Sequence, residues 1–172
     1  MEKNTCCFLG HRRIIISNEI ENKVYNLVKQ LIVEDNIYTF LFGSKSEFND
    51  LCYQIISKLK AEYSHIKRIY VRAEYPYINS EYKSYLLERY EDTYYPNSVI
   101  GAGKLAYIKR NYEMIDKSKT CIVYYDKNYM PPKARKTRMN EFIVKSGTKF
   151  AYDYAKRKQR KIINIFDEIN LL

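Results

Sequence analysis

Apolar positions along the chain fall into two alternating periods. Thr5–Leu9, Ile37–Phe42, Ile66–Val71 and Thr120–Tyr125 are short continuous runs, mostly β-branched or aromatic, and Lys161–Phe166 contributes Ile162, Ile163 and Ile165. Such runs are expected of strands covered on both faces. Between them the apolar residues recur at helical spacing. Ile20, Val24, Leu27, Val28 and Leu31 form one stripe, and Phe48, Leu51, Cys52, Ile55, Ile56 and Leu59 a second within Glu47–Tyr63. Leu105, Ile108, Tyr112 and Ile115 form a third in Lys104–Lys117, with Tyr107, Arg110, Asn111 and Met114 on the opposite side. Ala151, Tyr154 and Ala155 give a fourth in Lys149–Arg157.

Helix starts carry residues that cap: Asn18, Ser46, Asn79 or Ser80, and the small-residue turn Ser146-Gly147-Thr148. The helix from Asn79 or Ser80 is expected to run to about Arg89. Glu91–Pro96 reads as an extended stretch or short edge strand, because Pro96 argues against a central one. Strands alternating with helices through mostly short loops predict an α/β fold. The expected architecture is a Rossmann-like open sheet, mainly parallel, of about five or more strands with helices on both faces. Strand order is left open by the sequence.

Polar residues cluster after the strands rather than before them. Gly10-His11-Arg12 follows the first, Gly43-Ser44-Lys45-Ser46-Glu47 the second, Arg72-Ala73-Glu74 the third, and Asp126 the buried Thr120–Tyr125 run. In open α/β sheets ligands bind outside the carboxyl ends of the strands, so this asymmetry predicts one crevice. His11 and Arg12 read either as a solvated loop or as a phosphate or base contact. Gly43–Ser46 reads either as a plain strand–helix turn with a cap or as an anion cradle. Ser146, Gly147 and Thr148 at a helix start can turn bare N–H groups toward an anion. Lys45 and Arg12 would add full charges, and Gly147 would let backbone and phosphate approach. Arg110 and Asp116 are expected to form one structural unit at the crevice.

Length and charge narrow the field. At 172 residues the chain, residues 1–172, reads as one domain with a substantial core. A formal net charge of +10 favours anionic partners: nucleotides, nucleic acid or an acidic protein. Lys127 to Lys145 lacks a clear period, holds Pro131 and Pro132, and carries Lys127, Lys133, Arg135, Lys136 and Arg138. It reads as a long mobile basic loop able to fold over a ligand. Nineteen tyrosines without a tryptophan point to compositional bias and packing more than to chemistry. Cys6, Cys7, Cys52 and Cys121 form no CxxC pair and sit in apolar runs, as expected of reduced thiols in a cytoplasmic protein. Two histidines and scattered cysteines offer no metal-ligand spacing, and no apolar run approaches the roughly 18 residues of a membrane span. No cofactor, metal or membrane partner is expected.

Arg110-Asn111-Tyr112-Glu113-Met114-Ile115-Asp116, the run Cys121–Asp126, and Ser146-Gly147-Thr148 together resemble the SLOG superfamily. That group includes the DNA-processing protein A and Lonely Guy Rossmann-like proteins. Its pattern is an Arg-Asn-x-x-Met-x-Asp helix, a buried strand and a glycine-rich turn ending in Gly-Thr. Thr5 to Arg12 is similar to the N-terminal Cys-Cys-Phe-x-Gly-His-Arg of small stand-alone members from bacteria or phages, and Phe42–Phe48 to the group's second glycine loop.

The resemblance, over roughly the whole chain, implies a nucleotide or nucleotide-derived, ADP-ribose-like ligand, bound by a sensor or sequestering protein. A homo-oligomer is expected with it. An alternative is an enzyme of N-glycosidic bonds, which needs a carboxylate at the sugar as nucleophile or oxocarbenium stabiliser. Glu47, Glu74 and Glu113 are the candidates. The Lonely Guy pattern places a glutamate pair soon after Gly-Gly-x-Gly-Thr, whereas Lys149, Phe150 and Ala151 stand here, which argues against that hydrolysis. A further alternative is single-stranded nucleic-acid binding through the basic loop.

Overall fold

The computed structural model describes residues 4–43, 45–129 and 146–170. Ser44 and nearly all of the basic 127–145 stretch lie outside the described residues. Six strands form one parallel sheet: β1 (Thr5–Gly10), β2 (Thr39–Phe42), β3 (Lys67–Val71), β4 (Asp92–Tyr94), β5 (Thr120–Tyr124) and β6 (Lys161–Asn164). Their order is β4-β3-β2-β1-β5-β6, with β1 flanked by Cys7 opposite Leu41 and by Cys7 opposite Cys121. From β1 the chain steps outward through β2 and β3 to β4, then returns to the other side of β1 as β5. The direction of winding therefore reverses between β1 and β5. That is the topological switch point, where the C-terminal ends of two strands leave a crevice.

Alternation along each buried strand assigns the two faces. Cys6, Phe8, Phe40, Phe42 and Ile122 point to one side, where α1 (Asn18–Val33), α2 (Glu47–Glu62), α3 (Ser80–Leu87) and α6 (Ile165–Asn170) cover them. Cys7, Leu9, Leu41, Cys121 and Val123 point to the other, under α4 (Ala106–Lys117) and α5 (Gly147–Arg157). This is the expected α/β architecture of Rossmann type, an open sheet with helices on both faces. Phe8 stacks on Phe40 at 5.9 Å and packs on Phe42 at 5.1 Å, so aromatic contacts tie neighbouring strands under α2. All four cysteines are buried free thiols, and burial pushes the Cys6 and Cys52 thiols up. Among the described residues no helix is long and apolar enough to cross a membrane.

Several local expectations are corrected. Ser17, not Asn18, caps α1 by accepting the Ile20 N–H at 3.3 Å. The end of the chain is not one strand to Phe166: β6 stops at Asn164 and α6 begins at Ile165. The largest difference is the rotation of α4. Leu105 is 53 % exposed, whereas Arg110 and Met114 of the supposed outer side are buried beside Ile115. The helix is preceded by a 3-10 turn at Gly103–Leu105, which takes Leu105 off the helical stripe, and Tyr112 packs sideways on Tyr154 of α5. Ser46, Asn79 and the short edge strand at Asp92–Tyr94 stand as expected.

Candidate functional site

Two glycines let the elements crowd around the switch point. A Cβ on Gly10, the last residue of β1, would lie 2.5 Å from Phe48 on α2. A Cβ on Gly43, just after β2, would lie 2.6 Å from Arg110 Cδ and 2.8 Å from Met114 Sδ. Both glycines are therefore needed for close approach of helices to strand ends, and their missing side chains are already used by protein atoms. Gly147 differs: among the described residues nothing lies within 4 Å of where its Cβ would stand.

The first turn of α2 and the loop after β1 are bonded reciprocally. The Glu47 N–H donates to the Arg12 carbonyl at 3.1 Å, and the Ile14 N–H donates to Glu47 Oε2 at 2.7 Å. Ser46 caps the helix by accepting the Asn49 N–H at 3.2 Å. This pairing holds Arg12 and Arg13 at the rim, beside Lys45. It also occupies one N-terminal donor of α2. At α5 the equivalent donors are open. Ser146 accepts the Lys149 N–H at 3.2 Å, while the Gly147 and Thr148 N–H groups make no hydrogen bond among the described residues. The first N–H groups of a helix have no intrahelical partner and carry partial positive charge.

These parts enclose one cleft of about 910 Å³. Gly10, His11, Arg12, Lys45, Ser46, Glu47, Glu74, Arg110, Asn111, Ser146, Gly147 and Thr148 all contribute to its wall. Residues from the clusters after β1, β2 and β3 thus share one cleft, and Asp126 after β5 does not join them. Ser44 lies outside the described residues. Arg13, Asp50, Tyr107 and Tyr129 also line the cleft and were not legible as site residues. Helical spacing from known members was the available signal for two of them: Asp50 is one turn after Glu47, and Tyr107 one turn before Arg110.

Arg110 is the inner charge of the cleft, only 2 % exposed. Its Nη1 donates to the Gly43 carbonyl, its Nε donates to Asn111 Oδ1 at 3.1 Å, and the guanidinium lies 5.6 Å from the centre of the Tyr107 ring. Among the described residues no carboxylate forms an ion pair with it. Burial pulls its pKa below the ordinary arginine value, opposed by Tyr70 and Glu74. A guanidinium stays protonated in proteins, so this is a buried cation held by neutral partners.

His11 bridges the switch point. Its backbone N–H donates to the Tyr124 carbonyl at 3.3 Å, and its Nε2 accepts the Asp126 N–H at 2.9 Å. Nε2 also lies 3.1 Å from the Asp126 carbonyl, and burial lowers the pKa of the ring. Among the described residues Nδ1 has no hydrogen-bond partner, and Tyr129 stacks on the ring at 3.8 Å.

Three expected site residues are corrected. Asp126 acts through its backbone, while its carboxylate accepts the Asn128 N–H at 2.8 Å and does not line the cleft. Glu113 is turned away, accepting from Ser98 Oγ at 3.2 Å and pairing with Lys117 at 3.6 Å. Asp116 does not join Arg110 at the crevice. At the far end of α4 it accepts from Tyr154 Oη at 2.8 Å and pairs with Lys158 and Arg160. On a helix, six residues advance about 9 Å along the axis, which separates the two ends of that motif.

Of the proposed carboxylates Glu47 and Glu74 remain at the cleft. One oxygen of each is held by backbone, Glu47 by Ile14 and Glu74 by Ala73 at 3.2 Å. Among the described residues no group of three His, Cys, Asp or Glu side chains could hold a metal ion. No protein-family model matches this chain, and no curated protein matches it.

Proposed function

We propose that the cleft at the switch point binds a nucleotide or a nucleotide-derived, ADP-ribose-like molecule, and that the protein is a SLOG-like sensor or sequestering module. One observation carries this reading. A buried arginine and the N-terminus of α5 at Gly147, neither paired with a carboxylate among the described residues, face the same cleft. Buried cations are normally paired, so a site that keeps one unpaired is suited to an anionic group. A bare helix N-terminus beside it serves a phosphate. The volume of about 910 Å³ falls in the range of small-molecule sites.

The test is a thermal-shift and calorimetric screen with ADP-ribose, ADP and AMP. Ligand at 100 times its Kd adds about 2.7 kcal/mol, which for a chain of this size raises Tm by about 5–10 °C. Unchanged Tm and no heat with all three would overturn the reading. N-glycosidic chemistry stands as a second reading because Glu47 and Glu74 both line the cleft. It requires release of free base from a bound nucleotide, abolished in Glu47→Gln or Glu74→Gln. Salt-dependent retention of single-stranded DNA in place of nucleotide binding would favour the nucleic-acid reading instead.

A further inference from the structure

Asp50 has no place in any of the motifs, yet it stands in the wall of the cleft. It follows Glu47 by three residues, so both side chains leave the first turn of α2 on one face. The three carboxylates that line the cleft among the described residues differ in how they are held. Glu47 and Glu74 each have an oxygen fixed by a backbone N–H, whereas the exposed Asp50 carboxylate makes no hydrogen bond or ion pair among the described residues. Burial raises its pKa above the ordinary aspartate value, with Glu47 adding to the rise and Arg89 opposing it. An unbonded carboxylate repels phosphate and accepts donors. In a cleft whose cations among the described residues are Arg12, Arg13, Lys45 and Arg110, it therefore marks the stretch where the ligand carries hydroxyl groups.

We propose that Asp50 is a specificity-determining residue that accepts hydrogen bonds from the vicinal hydroxyls of the ligand's ribose, so that the site selects ribo- over 2′-deoxyribonucleotides. This rests on the nucleotide reading of the same cleft. Two adjacent hydroxyls match the two oxygens of one carboxylate, and hydrogen bonds to an ionised acceptor are roughly twice as strong as neutral ones. A site built to bond a hydroxyl also rejects the analogue lacking it, because the protein group is then left unmatched.

The experiment is calorimetric titration of the wild type, Asp50→Ala and Asp50→Asn with ADP, 2′-deoxy-ADP and IDP, and with ribose 5-phosphate and 2-deoxyribose 5-phosphate. Wild type should prefer ADP over 2′-deoxy-ADP by about tenfold, equal to about 1.4 kcal/mol. In Asp50→Ala the two should bind within about twofold, through loss of ADP affinity alone. IDP should behave as ADP in every variant. Preference for ADP retained in both variants overturns the assignment, as does an equal loss for ADP and its deoxy analogue. Discrimination that follows IDP instead would assign Asp50 to a base amine and overturn it as well. If no nucleotide binds but ribose 5-phosphate does, with the same dependence on Asp50, the nucleotide reading fails and the pentose assignment stands. If neither class binds, both fall.

Discussion

The Arg110 guanidinium, projected from the middle of α4, donates to the carbonyl of Gly43, the residue just after β2. The bond is possible because Gly43 has no Cβ, which would stand 2.6 Å from Arg110 Cδ. Helix α4 thus reaches over β1 to the end of β2 and sets a buried cation at the floor of the cleft. Structure and proposed function meet in that one contact, and the two roles can be separated by substitution.

Arg110→Ala removes a donor to a buried carbonyl and opens a void. A loss of about 1–3 kcal/mol in folding stability is expected from urea unfolding. ADP-ribose affinity should also fall by about 1–3 kcal/mol, because the buried cation of the cleft is gone. Arg110→Met, which restores much of the volume, should recover part of the stability and none of the affinity. Recovery of affinity with Met would make Arg110 a packing residue only.

Gly147 and Gly43 should respond in opposite ways. Gly147→Asp meets no atom of the described residues, so folding stability should stay within about 0.5 kcal/mol while nucleotide-induced stabilisation disappears. Gly43→Ala forces Arg110 and Met114 aside and should lower stability by about 1–3 kcal/mol. Thermal melts with and without ADP-ribose read both effects. A marked fall in the Tm of Gly147→Asp alone would contradict the open turn.

His11 makes stability depend on pH with a definite sign. Its folded-state pKa lies below the ordinary value of 6.5, chiefly because of burial. Its contribution is therefore fully present above about pH 6.5 and is lost as pH falls toward the folded pKa, since only the unfolded chain takes up the proton. The slope from one such group is at most about 1.4 kcal/mol per pH unit. Urea midpoints between pH 7.5 and 5 should fall in the wild type and fall less in His11→Gln. Equal slopes in the two proteins would sink the assignment.

Tyr154→Phe tests the corrected position of Asp116. It removes the 2.8 Å hydrogen bond to Asp116 and keeps the 3.8 Å stack on Tyr112. Stability should drop by about 0.5–1.5 kcal/mol, with ligand affinity unchanged. A loss of affinity in calorimetry would return Asp116 to the cleft.

Local pattern was enough to place every long helix and the buried strands, because helical stripes and short continuous apolar runs report which positions must leave water. The caps Ser46 and Asn79, the edge strand before Pro96, and the inward stripe of α2 followed from neighbours within a few residues. The gathering of polar clusters at strand ends was legible for the same reason: all strands are parallel, so every strand–helix turn falls on one side of the sheet. The rotation of α4 was not. A buried Arg110 runs against its hydropathy, and only the Gly43 carbonyl, 67 residues away, explains it. The separation of Asp116 from Arg110, the bond of His11 to the Asp126 backbone and the turning away of Glu113 likewise depend on partners distant in the chain. The sequence by itself determined the elements and the edge on which polar groups gather. Strand order, and with it the switch point between β1 and β5, came only from tertiary packing, because it depends on which crossovers let both helix layers cover the sheet.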